Sequence, residues 1–264
     1  MKLPLGFTGS AYAAGLKSTG ALDLTVISNA GPSFFGTAVF TSNKVVAAPV
    51  IWSKQVVKEE IIRAVVLNSG GANACTGPQG FADTHKTAEV VGDLLNISAG
   101  EVVVCSTGLI GELLPMQKII TGLETIASNL HADSLDDCAR AIMTTDSVPK
   151  IAQASLGSVN FAGIAKGAGM LAPALATMLS VVMTDAAVSE NAASIFSTVT
   201  DRTYNRIDSD GCTSTNDTVV FMASGASGVQ ISDQDLEKTL MQVCGCRRSG
   251  CQYGVYSHRC EFHG

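Results

Sequence analysis

Apolar residues in this chain come in short dense runs separated by Gly, Asn, Asp and Pro, with a few longer amphipathic stretches between them. Residues 24–27, 36–40, 64–67, 102–105, 159–164 and 219–222 are β-branched or aromatic-rich and bounded by turn residues, which predicts strands. Residues 85–95, 113–130, 134–143 and 232–242 carry helical spacing. Ser134 is a candidate N-cap with Asp137 three residues on, and Ser232 with Asp235 repeats that signal. Several strands follow one another early and helices alternate irregularly later. The expected class is therefore α+β rather than a regular βαβ fold. No repeat and no Pro/Ser/Gly linker divides the chain.

Composition narrows the function classes. The chain has 264 residues, 17 basic and 23 acidic, for a net charge of −6. An acidic chain without a basic stripe predicts no nucleic-acid partner. Apolar residues make up 46% of it and charged ones 15%, which argues for a packed core rather than disorder. The longest uncharged run, 167–184, holds Pro173, Thr177 and Ser180 and reads as buried core; no membrane partner is expected. The N-terminal Met1-Lys2-Leu3-Pro4 precedes too short an apolar stretch for a secretory signal, so a cytoplasmic protein is expected.

The eight cysteines are uneven. Cys75, Cys105, Cys138 and Cys212 are scattered and read as small buried hydrophobes. Cys244, Cys246, Cys251 and Cys260 crowd an atypical tail, 244–264, together with His258 and His263. A zinc site is one reading of that tail, although it lacks paired C-x2-C knuckles, and no metal is assigned. An aberrant or out-of-frame C-terminus is the other.

The chemistry concentrates in Lys166-Gly167-Ala168-Gly169-Met170-Leu171-Ala172-Pro173-Ala174-Leu175-Ala176-Thr177-Met178-Leu179. Gly167-x-Gly169-x-x-Ala172 fits a dinucleotide fingerprint literally, but Pro173 and the missing βαβ setting weigh against it. Thr177 offers a different chemistry. A threonine is a weak nucleophile that needs a base, and a chain that cuts itself before the threonine supplies its own α-amine. The small Ala176 leaves room for that attack, and Lys166 offers a cation to an anionic substrate. The bland alternatives are a packed threonine and a solvated loop lysine.

This block resembles the self-cleavage region of the glutamate N-acetyltransferase/ornithine acetyltransferase family of arginine biosynthesis. The resemblance extends in order over Asn68-Ser69-Gly70-Gly71-Ala72-Asn73-Ala74-Cys75-Thr76-Gly77, Ser106-Thr107-Gly108-Leu109-Ile110-Gly111, Ala141-Ile142-Met143-Thr144-Thr145-Asp146 and Asp210-Gly211-Cys212-Thr213-Ser214-Thr215-Asn216-Asp217. It implies an N-terminal-nucleophile-like sandwich of sheets between helix layers, incomplete at the C-terminus. It also implies self-cleavage between Ala176 and Thr177 into an α chain (1–176) and a β chain (177–264). Thr177 would carry acetyl from N2-acetylornithine to glutamate as an acyl-enzyme. Thr107 and Gly108 would form the oxyanion hole, and Thr144, Lys166 and Thr177 would bind substrate. No cofactor is implied; acetyl-CoA is a co-substrate of some members. An α2β2 assembly is the expected partner state.

Read without the resemblance, Thr107 and Gly108 only end a strand, Thr144 ends a helix, and Asp210-Gly211 makes a turn with no catalytic role. The likeness fades at Val243, and later family segments that carry a substrate-binding Glu, an Asn and a Ser/Thr are not found. The expectation is thus a truncated or frameshifted acetyltransferase of impaired activity. The alternative is an inactive remnant or metal-binding variant of the same family.

Overall fold

The computed structural model describes residues 1–168, 178–207 and 212–245. Its strands form two sheets. The first has the order β1 (Phe7–Tyr12), β2 (Leu24–Asn29), β4 (Ala64–Gly71), β5 (Val102–Leu109). The second has the order β3 (Phe35–Phe40), β9 (Thr218–Ala223), β8 (Leu179–Thr184), β7 (Val159–Lys166), β6 (Lys150–Leu156). Pairing is antiparallel except for β4–β5 and β8–β9. Each parallel pair is joined through a helix, α2 (Gly77–Leu95) or α5 (Ala192–Arg202), because parallel neighbours need a crossover.

Strand alternation sorts the core into three layers of contact. Val65, Leu67, Val103 and Cys105 of the first sheet meet Ile164, Val181, Met183, Val220 and Met222 of the second, joined at one end by Leu135 and Cys138 of α4 (Leu135–Ala141). Their neighbours Ala64, Val66, Val102 and Val104 point the other way, onto α2 and α3 (Met116–Ala127). On the far side Phe161, Val182, Val219 and Phe221 pack against α5 and α6 (Asp233–Cys244). The architecture is helix, sheet, sheet, helix. The central strands are covered on both faces, which is why they read as continuous apolar runs instead of alternating ones.

The strands at 24–27, 36–40, 64–67, 102–105, 159–164 and 219–222 all exist, as do the four predicted helices. Two strands run further than expected. The glycine-rich segment after Leu67 continues β4 to Gly71, and β5 passes through Ser106-Thr107-Gly108 to Leu109, because the parallel ladder persists across a bulge at Gly70–Gly71. Strands β1, β6 and β8 and helices α1 (Ala48–Val56) and α5 were not anticipated. β8 lay inside the 167–184 run, where an uninterrupted apolar segment shows no period.

The two predicted N-caps divide. Ser232 accepts the Asp235 N–H at 3.1 Å and caps α6. Ser134 instead donates to the His131 carbonyl at 2.9 Å, fixing the preceding turn, and makes no cap bond. Cys105 and Cys138 are buried as expected, but Cys75 and Cys212 are exposed. Cys75 sits at φ 57° in the tight connection into α2, which turns its thiol outward.

The outer face of the second sheet rests on Phe196, whose ring stacks on Phe221 at 5.2 Å between centroids. Phe196→Ala is expected to cost about 3–5 kcal/mol in urea unfolding, against about 1 kcal/mol for Ser232→Ala. Equal losses from the two variants would show that this face does not carry the core.

Candidate active site

Face alternation aims the candidate residues at one another. Thr107 shares the inner face of β5 with Val103 and Cys105, and Lys166 shares the inner face of β7 with Ala162 and Ile164. Both side chains therefore enter the space between the sheets, where Lys166 Nζ donates to Thr107 Oγ1 at 3.1 Å. Lys166 is fully buried, so the solvated-loop alternative is excluded. Gly108 follows at φ 131°, and a Cβ there would lie 2.5 Å from the Gly70 carbonyl carbon. Only glycine lets β5 approach the glycines of β4 this closely.

These residues open onto a cleft of about 610 Å³ whose lining includes Lys17, Thr107, Gly108, Thr144 and Lys166. Thr144 lies beyond the end of α4, exposed, with its N–H donated to Asp146 at 3.1 Å. Asp146 also accepts the Gly167 N–H at 2.8 Å and pairs with Lys150. One carboxylate thus ties the Thr144 turn to the end of β7. Burial alone would raise its pKa, but the Lys150 ammonium and the Gly167 and Thr144 N–H groups outweigh burial and hold it below the usual range. Lys17 is placed by Asp23, which accepts the N–H groups of Ala14, Leu16 and Lys17. Ala176 and Thr177 lie outside the described residues.

Lys166 pays for its position in charge. Burial pulls its pKa down to about 8, against the upward pull of Asp146 and Asp217, with Lys150 and Lys17 pushing it lower. Asp217, also buried, is pushed up to about 7 by desolvation, partly offset by the Met178 N–H, the Ser214 hydroxyl and Lys166. Asp217 Oδ1 accepts the Met178 N–H at 2.7 Å. Next to it, Asn216 Nδ2 crosses between the sheets to the carbonyls of Ala72 at 2.6 Å and Ser106 at 2.9 Å. Ser106 Oγ donates to Asn68 Oδ1 at 2.6 Å, and Asn68 Nδ2 to the Gly71 carbonyl at 3.0 Å. The glycine corner and the Thr107–Gly108 strand are therefore held by a buried polar knot.

Lys17, Asp146, Asn216 and Asp217 were not singled out from the sequence. Asp146, Asn216 and Asp217 sit inside quoted motifs, but nothing in their spacing shows that Asp146 and Asp217 flank Lys166.

The dinucleotide reading loses its footing. β7 is antiparallel to both β6 and β8, so Gly167 does not follow the parallel strand that a dinucleotide fingerprint needs. Cys244 closes α6 inside the core, where burial pushes its thiol up to about 12. The other tail cysteines and both histidines lie outside the described residues.

The layered fold resembles that of the L-aminopeptidase D-Ala-esterase/amidase of Ochrobactrum anthropi, described as a variant of the ntn hydrolase fold. The TM-score is 0.53 over 90% of this chain and 80% of that one, at 10% identity, which speaks to fold alone. The class is thus an α+β sandwich of the N-terminal-nucleophile type. The chain belongs to the ArgJ family, whose profile matches residues 8–246. It is 52% identical to the arginine biosynthesis bifunctional protein ArgJ of Thermobifida fusca over 242 residues, 91% of this chain and 63% of that protein. The Streptomyces avermitilis protein of the same name is 51% identical, again over 63% of its length. This chain therefore spans under two thirds of the curated relatives it matches. A solved structure of ornithine acetyltransferase from Mycobacterium tuberculosis, complexed with ornithine, is 45% identical with a TM-score of 0.59, over 67% of this chain and 94% of that one.

Replacing Asn216 by Ala leaves the Ala72 and Ser106 carbonyls without their shared donor. We expect a loss of about 2–4 kcal/mol by chemical denaturation. A change within about 0.5 kcal/mol would show that water replaces the side chain without penalty.

Proposed function

We propose that this chain is a self-processing acyltransferase that moves acetyl from N2-acetylornithine to glutamate. The observation that carries the reading is the Lys166–Thr107 contact beside Gly108 at the cleft, in a chain of this family. The relative solved with ornithine supports a small amino-acid ligand.

In maturation, Thr177 Oγ bonds to the Ala176 carbonyl carbon and the Ala176–Thr177 C–N bond breaks. The hydroxyl proton ends on the departing amine. Water then hydrolyses the ester, giving an α chain of 1–176 and a β chain that starts at residue 177. In turnover the same hydroxyl attacks the acetyl carbonyl, ornithine leaves with a proton on its nitrogen, and the glutamate amine takes the acetyl group from the ester. Negative charge develops on the carbonyl oxygen in each tetrahedral intermediate. The Thr107 hydroxyl and the Gly108 N–H are the donors assigned to it. The Lys166 ammonium is assigned to a substrate carboxylate, with Thr144 and Thr177 as further binding groups. Acetyl-CoA is a candidate second donor. No cofactor enters the scheme, and α2β2 is the proposed assembly. Among the described residues no helix is long and apolar enough to cross a membrane, which fits small-molecule chemistry in the cytoplasm.

Denaturing intact mass is the first test. Wild type is expected as two fragments meeting between Ala176 and Thr177, and Thr177→Ala as one uncut chain. A single species for both would overturn the reading. Thr107→Ala should slow acetyl transfer about 10²–10³-fold. Lys166 loses its proton as the pH rises through about 8, so KM for acetylornithine should climb above that pH. A flat KM across that range would remove Lys166 from the substrate carboxylate.

A further inference from the structure

Residues 16–19, in the connection from β1 to β2, wall one side of the cleft, and that connection is fastened from inside. Asp23 is fully buried, and its carboxylate accepts the N–H groups of Ala14 at 2.7 Å, Leu16 at 2.6 Å and Lys17 at 3.0 Å. The Asp23 carbonyl takes the Ser69 N–H at 2.8 Å, so the same residue ties the connection to β4. Leu16 lies against Gly70, where an added Cβ would stand 2.9 Å from the Leu16 carbonyl oxygen. Lys118 of α3 donates to the Gly15 carbonyl at 2.9 Å. Hydrogen bonds to a buried carboxylate are strong, so this wall is held in one shape.

The charged group that this wall delivers to the cleft is Lys17, which lines it together with Lys166, Thr144 and Thr145. Its Nζ donates to the Leu22 carbonyl at 2.8 Å. An ammonium carries three donors, so that bond orients the head without exhausting it. Asp23 and Asp146 both act on Lys17, but neither forms an ion pair with it. Asp23 is engaged by backbone, and Asp146 by Lys150 and the Thr144 and Gly167 N–H groups. Lys166 in turn feels the charge of Lys17. Two ammonium groups that repel across one cleft are unfavourable when it is empty and suited to a ligand with two anionic ends.

We infer that Lys17 is the specificity-determining residue for the acceptor, binding the side-chain carboxylate of glutamate while Lys166 holds the carboxylate that both substrates share. The inference rests on the acetyl-transfer reading above. The two substrates differ at their far ends: glutamate carries a carboxylate there and ornithine an ammonium. A fixed cation attracts the first and repels the second, so one residue supplies both the favourable and the unfavourable half of the discrimination. Lys17 makes and breaks no bond.

The test is calorimetric titration of the purified 264-residue protein with glutamate, with glutamine as its uncharged isostere, and with ornithine. Wild type is expected to bind glutamate about tenfold more tightly than glutamine. Lys17→Met should lose that preference through weaker glutamate binding alone, and Lys17→Arg, which keeps the charge, should retain it. In acetyl transfer, Lys17→Met should raise KM for glutamate about tenfold without raising KM for acetylornithine. An unchanged preference in Lys17→Met, with transfer intact, would overturn the inference and leave the reaction standing. Lys17-dependent glutamate binding in a protein that transfers no acetyl would support the carboxylate site and overturn the reaction. Inorganic phosphate competing as well as glutamate, with glutamine bound equally, would assign this wall to a phosphate-bearing donor and overturn the inference. If Lys17→Met fails to fold, the wild-type series decides, and equal binding of glutamate and glutamine overturns it.

Discussion

The structure turns on a small set of polar groups trapped at one end of an apolar sandwich. Between the two sheets a large aliphatic cluster excludes water, so a buried amide or carboxyl at its edge must find its partners within the protein. Asn216 supplies them for the first sheet by reaching the carbonyls of Ala72 and Ser106, and Asp217 supplies one for the second by taking the Met178 N–H. Two consecutive residues thus couple the glycine corner of β4, the Thr107–Gly108 strand and the start of β8. Moving any one of these strips would strand a buried donor or acceptor, a penalty of about 1–3 kcal/mol for each group.

That coupling explains how a lysine remains fully buried. An ammonium between two sheets pays a large desolvation cost, and Lys166 recovers part of it from the Thr107 hydroxyl and from the carboxylates of Asp146 and Asp217. Its lowered pKa and the raised one of Asp217 are two sides of the same crowded, dry environment. Two groups of opposite type, both brought toward neutrality, are suited to exchanging protons with a bound reactant. The glycines at 70, 71 and 108 complete the arrangement by letting backbone take the place of side chains along the cleft. Asp146 binds the Thr144 turn to Gly167, so the mouth of the cleft is tied to the strand that carries the lysine.

Local pattern made much of the fold legible. Short apolar runs located six strands, helical spacing located four helices, and Ser232 announced the start of α6. The failures share a cause. β8 is buried on both faces and so shows no alternation, while β4 and β5 extend past glycines and small polar residues because each holds the other in a parallel ladder. Ser134 was misjudged because the His131 carbonyl takes its hydroxyl, and Cys75 because it lies at positive φ in the connection into α2 and is exposed there.

The chemistry divides in the same way. The sequence by itself determined residue types and local order: a lysine before a glycine, a Ser-Thr-Gly strand end, and an alanine–threonine bond within a family motif. Thr107 and Lys166 were recognisable as candidates, but they stand 59 positions apart in the chain. Only the tertiary structure decided that they touch, because that depends on the parity of each residue along its strand and on which sheet faces which. Asp217 acquired its place wholly in this way. Its carboxyl is ordinary in the chain and becomes special when the turn before β9 carries it into the dry space beside Lys166 and the Met178 N–H, where burial rather than sequence sets its charge.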